Sequence, residues 1–332
     1  MNNPLKIGKI PTEILAEVIS SFDSLKKRDD VLVRPKIGED CAAVSFADEV
    51  CLLSTDPITA ADSDAGYFAV HINANDIAAS GGEPVGILVT ALLPEGVTSQ
   101  TLKEIAAGIY RAAAEIGIEV LGGHTEVTDA VNKPILSVAI IGKTTADGLI
   151  HTAGAQIGDD VIITKKAALE GTSILADTYY DKISKKFGAY FADQAVSFKN
   201  FLSVIKDAKI AKLYGANSMH DITEGGVLGA CYEVAEACGL GIEIDVDKVP
   251  LNDESVKICE FLSIDPYYLI SSGALLVTAK DGEKIVNELN GQGIGGAIIG
   301  KIVEKEKTYR KNGKLFTLEP PRADEIYKKL AD

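Results

Sequence analysis

Four aspartates stand where a chain usually keeps its working carboxylates. Asp40 sits in a turn after Gly38, and Asp56 at the end of an apolar strand before Pro57. Asp76 lies inside a helix-forming stretch, and Asp221 in a turn ahead of a glycine pair. Glycines mark two candidate helix starts, Gly171-Thr172-Ser173 and Gly225-Gly226. Carboxylates are the oxygen ligands magnesium prefers, and backbone N–H groups at a helix start hold phosphate. Singly, each of these residues has a plain explanation as a cap or a turn. As an ordered set they read as a magnesium–nucleotide site.

The elements that must position them follow from periodicity. Gly66–Pro84 (GYFAVHINANDIAASGGEP) predicts a buried helix, stopped by Gly81-Gly82 and Pro84. Asn73 and Asp76 are three apart and so share a face with Ala69 and Ser80; Asn75 interrupts the apolar run as well. A buried carboxylate needs compensation, either from an internal hydrogen-bond network or from a ligand. Strands are expected at Val31–Val44, Val50–Asp56, Val85–Leu92, Ile118–Leu121 and Pro134–Lys143, with helices from Pro11 and over Thr101–Ile116. The Gly- and Ala-rich stretch near Gly154 predicts a boundary between domains 1–153 and 154–332. The second half reads as a strand at Asp160–Thr164, a helix from Gly171 and one or two helices over 178–208. It continues with a helix over Gly225–Cys238 and a strand, then a strand ending near 279, a helix at Gly282–Leu289 and a strand at Ala297–Ile302. A last helix, Arg322–Leu330, carries no evident chemistry. AIIGK occurs at Ala139–Lys143 and again at Ala297–Lys301, which is compatible with two related halves.

Composition narrows the function classes. With 332 residues and 46% hydrophobic content the chain is globular and long enough for two domains. Its charge of −15, with no basic stripe, argues against nucleic acid. No apolar run is long enough for a bilayer and the N-terminus has no apolar signal region, so a cytoplasmic protein without a membrane role is expected. Five cysteines without a CxxC pair argue against disulfides and structural zinc. Two motif matches fail on context. Gly291–Gly296 fits GxGxxG but follows a helix and precedes a strand, the reverse of the dinucleotide order. Gly295–Lys301 imitates a phosphate loop, but Ile302 follows the lysine where a hydroxyl is needed.

The order and wording of six motifs resemble the AIR synthase (PurM-like) superfamily. They are GEDCAAV at Gly38–Val44, STD at Ser54–Asp56, NANDIAASGGEP at Asn73–Pro84, GGHTEV at Gly122–Val127, LEGTSILA at Leu169–Ala176 and HDITEGGVLGA at His220–Ala230. The second half is most similar to the hydrogenase-maturation factor HypE and its relatives. The resemblance implies a two-domain α/β (α+β) fold in which the N-terminal sheets of two subunits pair into a barrel, with ATP and Mg²⁺ in the adjoining cleft. By the same resemblance Asp40, Asp56 and Asp76 hold magnesium. Asn73, Gly171, Thr172, Gly225 and Gly226 face nucleotide or substrate, and Asp221 belongs to the motif that closes over the phosphates.

Two departures matter. Where family members carry an acid after the paired glycines, this chain has His124, a poor magnesium ligand, with Glu126 as a candidate substitute. No cysteine follows Cys259, so the resemblance does not extend to the tail thiol of HypE. The implied activity is Mg-ATP-dependent phosphoryl transfer to, or dehydration of, an oxygen on a small molecule or a maturation partner, by a homodimer with His124 and Asp221 in the catalytic set. The alternatives are a nucleotide-binding accessory protein without turnover and a small-molecule kinase like thiamine-monophosphate kinase.

Overall fold

The computed structural model describes residues 12–20, 27–59 and 64–330. The chain divides into two compact units. One holds the described residues of 29–34 and 40–149; the other takes 12–20, 27–28, 35–39 and 150–330. Lys6 and Lys9, read from sequence as surface charge, lie outside the described residues.

Helix α1 (Thr12–Ser20) buries none of its residues. The first unit then runs β1 (Val31–Val33), β2 (Ala42–Phe46), β3 (Glu49–Ile58), α2 (Ala65–Ala79), β4 (Glu83–Pro94), α3 (Ser99–Ile116), β5 (Glu119–Thr128) and β6 (Ile135–Thr144). The six strands form one sheet in the order β1-β2-β3-β6-β4-β5. Only β4 and β5 run parallel, and α3 is the crossover that a parallel pair requires. Period-two alternation puts Val50, Leu52, Val138, Ile140, Ile87 and Val89 on the face that meets α2. All fifteen residues of α2 are buried, so its polar residues are interior groups that must find partners. Among the described residues of this unit no helix covers the other face, with Leu53, Val85 and Leu88 38–42% exposed.

Two expectations change here. The single strand predicted over Val31–Val44 is two short strands, because Pro35 and the left-handed Gly38 (φ +81°) turn the chain out between them. The excursion belongs to the second unit, where Lys36 Nζ donates to Ala237 O at 2.5 Å. GGHTEV is likewise inside β5 rather than after it. A Cβ on Gly123 would lie 1.9 Å from Val89 O, so only glycine lets β4 and β5 approach there.

The second unit runs β7 (Asp160–Thr164), α4 (Leu169–Thr178), α5 (Tyr180–Phe187), α6 (Ala189–Val196), α7 (Ile205–Leu213), β8 (Ala216–Asp221) and α8 (Gly226–Cys238). It continues with β9 (Gly241–Asp245), α9 (Asp253–Leu262), β10 (Leu275–Ala279), α10 (Gly282–Gly291), β11 (Gly296–Val303), β12 (Lys307–Lys311), β13 (Lys314–Thr317) and α11 (Tyr327–Leu330). Its seven strands lie in the order β13-β12-β9-β11-β7-β10-β8, antiparallel except for β9 with β12. Val161, Ile163, Ile242, Leu276 and Ile299 from the strands pack with Val227, Cys231 and Val234 of α8. The GxGxxG match is the turn from α10 into β11, and the phosphate-loop imitation is β11 itself. All five cysteines are free thiols. Among the described residues no helix is long and apolar enough to cross a membrane.

Candidate functional site

In the first unit the polar stripe of α2 faces the outer half of β3. Ser54 Oγ donates to Asp76 Oδ2 at 2.6 Å. Asp56 N–H donates to Asn73 Oδ1 at 2.9 Å, and Asn73 Nδ2 donates to Asp56 O at 3.4 Å and to Ala69 O at 2.9 Å. Ser54 and Asp56 share the helix face of β3, so both side chains are on the side of the sheet that meets α2. Asp40 precedes Ala42, whose partner across the sheet is Leu53, so the chain enters β2 beside this stretch of β3. The amide of Asn73, read from sequence as a nucleotide contact, is spent on β3 and on its own helix.

His124 lies elsewhere. One row across the sheet runs Asp56, Val138, Val89, Gly123; the next runs Pro57, Ser137, Thr90, His124. Adjacent rows point to opposite faces, so His124 is on the uncovered face. Three strand spacings, about 14 Å, separate it from β3. Its Nε2 meets Glu126 Oε2 at 3.1 Å with both side chains largely exposed. Within one protomer the fold does not bring His124 or Glu126 to the carboxylates. A separate polar cluster ties α2 to α3: Tyr67 Oη donates to Glu115 at 2.8 Å, and His71 Nε2 lies 3.3 Å from the same oxygen. Burial pushes His71 below its ordinary range, opposed by the neighbouring Glu115.

In the second unit the predicted phosphate contacts are committed to the protein. Gly171 N–H donates to Ile270 O at 3.1 Å, and Thr172 Oγ1 to Ser255 Oγ at 2.8 Å with both hydroxyls buried. Gly226 N–H donates to Thr223 O at 3.1 Å, and a Cβ there would meet Tyr267 O at 2.6 Å. Gly225 N–H donates to Asp324 Oδ2 at 2.7 Å, and Pro321 packs over the same glycine. The C-terminal stretch therefore does carry chemistry: Asp324 is buried against the start of α8. Asp221 closes β8, buried and paired in register with Leu275.

Three charged groups that sequence reasoning passed over are buried beside these elements. Burial pushes Glu170 up to about 7 against the opposing Ser272 hydrogen bonds, with Asp324 and Glu224 adding repulsion. Burial also pushes Asp324 up to about 6, opposed by the N–H groups of Ile326, Gly225 and Ile270. Lys165 Nζ donates to Asp207 at 2.6 Å and to Ser203 O and Gly273 O, both at 2.9 Å, locking the end of β7 to the turn before β10. Lys165 and Glu170 were legible only as charges flanking an apolar helix start, where exposed charge is the ordinary expectation.

Comparison with known proteins agrees with this fold. The AIR synthase related protein family matches by its N-terminal domain over residues 38–144 and by its C-terminal domain over residues 156–311. A hydrogenase expression/formation protein of Methanocaldococcus jannaschii is 28% identical over 313 residues, 90% of each chain. Carbamoyl dehydratase HypE of Cupriavidus necator is 25% identical over 310 residues, 90% of this chain and 84% of that one. Among solved structures, AaThiL complexed with AMPPCP and TMP superposes with a TM-score of 0.74 at 24% identity, covering 96% of this chain and 99% of that one. With both domain matches in chain order, this chain belongs to the AIR synthase related family and is related to HypE.

Proposed function

We propose that this protein is a Mg-ATP-dependent enzyme that phosphorylates, or activates for dehydration, an oxygen on a small molecule or a maturation partner. The observation that carries this reading is the β3–α2 seam, where Ser54 holds the Asp76 carboxylate and Asn73 holds the backbone of Asp56. Hard oxygen donors on rigid elements suit magnesium, so Asp56 and Asp76, with Asp40, are the residues that would hold it. A magnesium ion there supplies charge neutralisation to nucleotide phosphates. The protein's own contribution is to keep those carboxylates fixed before a ligand arrives. The AMPPCP bound to AaThiL supports nucleotide use, and the dehydratase name of HypE supports the dehydration arm of the reading.

The reading includes a homodimer formed through the uncovered sheet face. Supporting it are the exposed Leu53, Val85 and Leu88 and the exposure of nearly all of β5. His124 and Glu126 then lie at the subunit junction rather than beside the carboxylates of their own protomer, and His124 acts, if anywhere, across that junction. The test is ATP binding as a function of Mg²⁺ for wild type and Asp56→Asn. The reading requires magnesium-dependent binding that the variant loses. Unchanged magnesium dependence in Asp56→Asn excludes the metal site.

A further inference from the structure

β2 leaves β3 early. Their last paired residues are Ala42 and Leu53, while β3 runs on to Ile58 with, among the described residues, only β6 beside it. From Ser54 onward, no strand among the described residues pairs with the β2 side of β3. At Asp56 the backbone groups are received by a side chain: Asn73 accepts from the Asp56 N–H at 2.9 Å and donates to the Asp56 C=O at 3.4 Å. A carboxamide has the same donor and acceptor as a peptide group, so Asn73 completes the ladder where β2 ends. Its second N–H, on Ala69 O at 2.9 Å, fixes the amide to its own helix. The contact in the other direction is Ser54 Oγ to Asp76 Oδ2 at 2.6 Å. Ser54 of β3 thus holds the carboxylate of Asp76 on α2, and Asn73 of α2 holds the backbone that carries Asp56.

We propose that Asn73 and Ser54 are positioning residues: they set the spacing and direction of the Asp56 and Asp76 carboxylates, and so the affinity for a divalent cation, without touching nucleotide. This rests on the metal site proposed above and assigns Asn73 a different task from the nucleotide contact implied by resemblance. Sequence alone could not separate the two, since asparagine is a plausible partner for either. The chemistry does separate them. An amide at 0% exposure, with both N–H groups donated and its oxygen already accepting from Asp56, has no donor and no exposed surface to offer a nucleotide.

The test uses the full chain and Mn²⁺ alone as the probe, titrated by electron paramagnetic resonance without nucleotide. The variants are Ser54→Ala, Ser54→Thr and Asn73→Ser. Ser54→Ala and Asn73→Ser should each weaken Mn²⁺ binding about tenfold, the usual effect of losing a group that orients a ligand. Ser54→Thr, which keeps the hydroxyl, should restore it. Amide exchange at Asp56 should speed up in Asn73→Ser while that of the buried β6 strand does not. A merely structural role would lower the melting temperature of Ser54→Ala without changing Mn²⁺ affinity, which overturns the proposal. Loss of ATP affinity in Asn73→Ser at unchanged Mn²⁺ affinity also overturns it, by making Asn73 a nucleotide contact. If the wild type binds no Mn²⁺, the metal-site reading itself fails and the proposal falls with it.

Discussion

Replacing Glu170 by glutamine should make the protein more stable at pH 8 and leave it nearly unchanged at pH 5. Glu170 is buried beside Asp324 and Glu224, and its carboxyl is raised from 4.5 to about 7. A raised carboxylate pKa means the folded state holds a proton that the unfolded chain has lost. Stability is therefore greatest below about pH 4.5 and declines as pH rises through the folded pKa. A shift of this size corresponds to roughly 3 kcal/mol at pH 8. Glutamine keeps an acceptor for the Ser272 N–H, which lies 3.3 Å from the carboxylate, and cannot ionise. Some of the gain is offset because a charged acceptor makes the stronger hydrogen bond, leaving about 2 kcal/mol. Urea unfolding at pH 5, 6, 7 and 8 reads this directly. Wild type should lose stability across the series, with Asp324 adding its own loss between 3.8 and about 6, and the variant should lose less. Parallel curves, or a variant less stable at pH 8, would refute the argument that burial of this carboxyl is a cost.

Other outcomes follow from the same structure. Asp207→Ala strands Lys165 in a largely buried site and should cost about 3–5 kcal/mol in denaturant unfolding, far more than loss of an exposed ion pair. Gly123→Ala forces a Cβ onto Val89 O, so β5 should separate from β4, seen as fast amide exchange confined to 119–128. Leu88→Glu on the uncovered sheet face should shift sedimentation from dimer to monomer with little change in far-ultraviolet dichroism; a persistent dimer would place the interface elsewhere.

Much of this architecture was legible because it rests on short-range signals. The amphipathic spacing of Leu102, Ile105 and Ile109 and the left-handed Gly117 are the whole reason α3 sits where the pattern predicts. The buried helix around Asn73 and Asp76 is α2, ending where Gly81 turns left-handed. Long-range packing was not legible. β5 continues through two glycines because β4 approaches closely, and nothing within GGHTEV itself announces its neighbour. Likewise β8, β12 and β13 are short and carry mixed polar residues, so periodicity misses them. For the site, sequence pointed to Asp56 at a strand end and Asp76 inside a buried helix, and the structure sets that strand against that helix. That Asn73 holds backbone, that His124 faces away and that Asp324 meets Gly225 depend on register and on contacts up to 99 residues apart. Residue identity offers the chemistry, and the fold decides which partner receives it.

The central claim is that this chain binds Mg-ATP through the β3–α2 carboxylates. Thermal unfolding with ATP, ADP and AMP, each with and without Mg²⁺, in wild type and Asp56→Asn tests it most directly. At a hundredfold over its dissociation constant a nucleotide should add about 2.7 kcal/mol to wild type. That stabilisation should require Mg²⁺ and vanish in Asp56→Asn. No shift in the wild type under any condition, or an equal shift in the variant, would contradict the account.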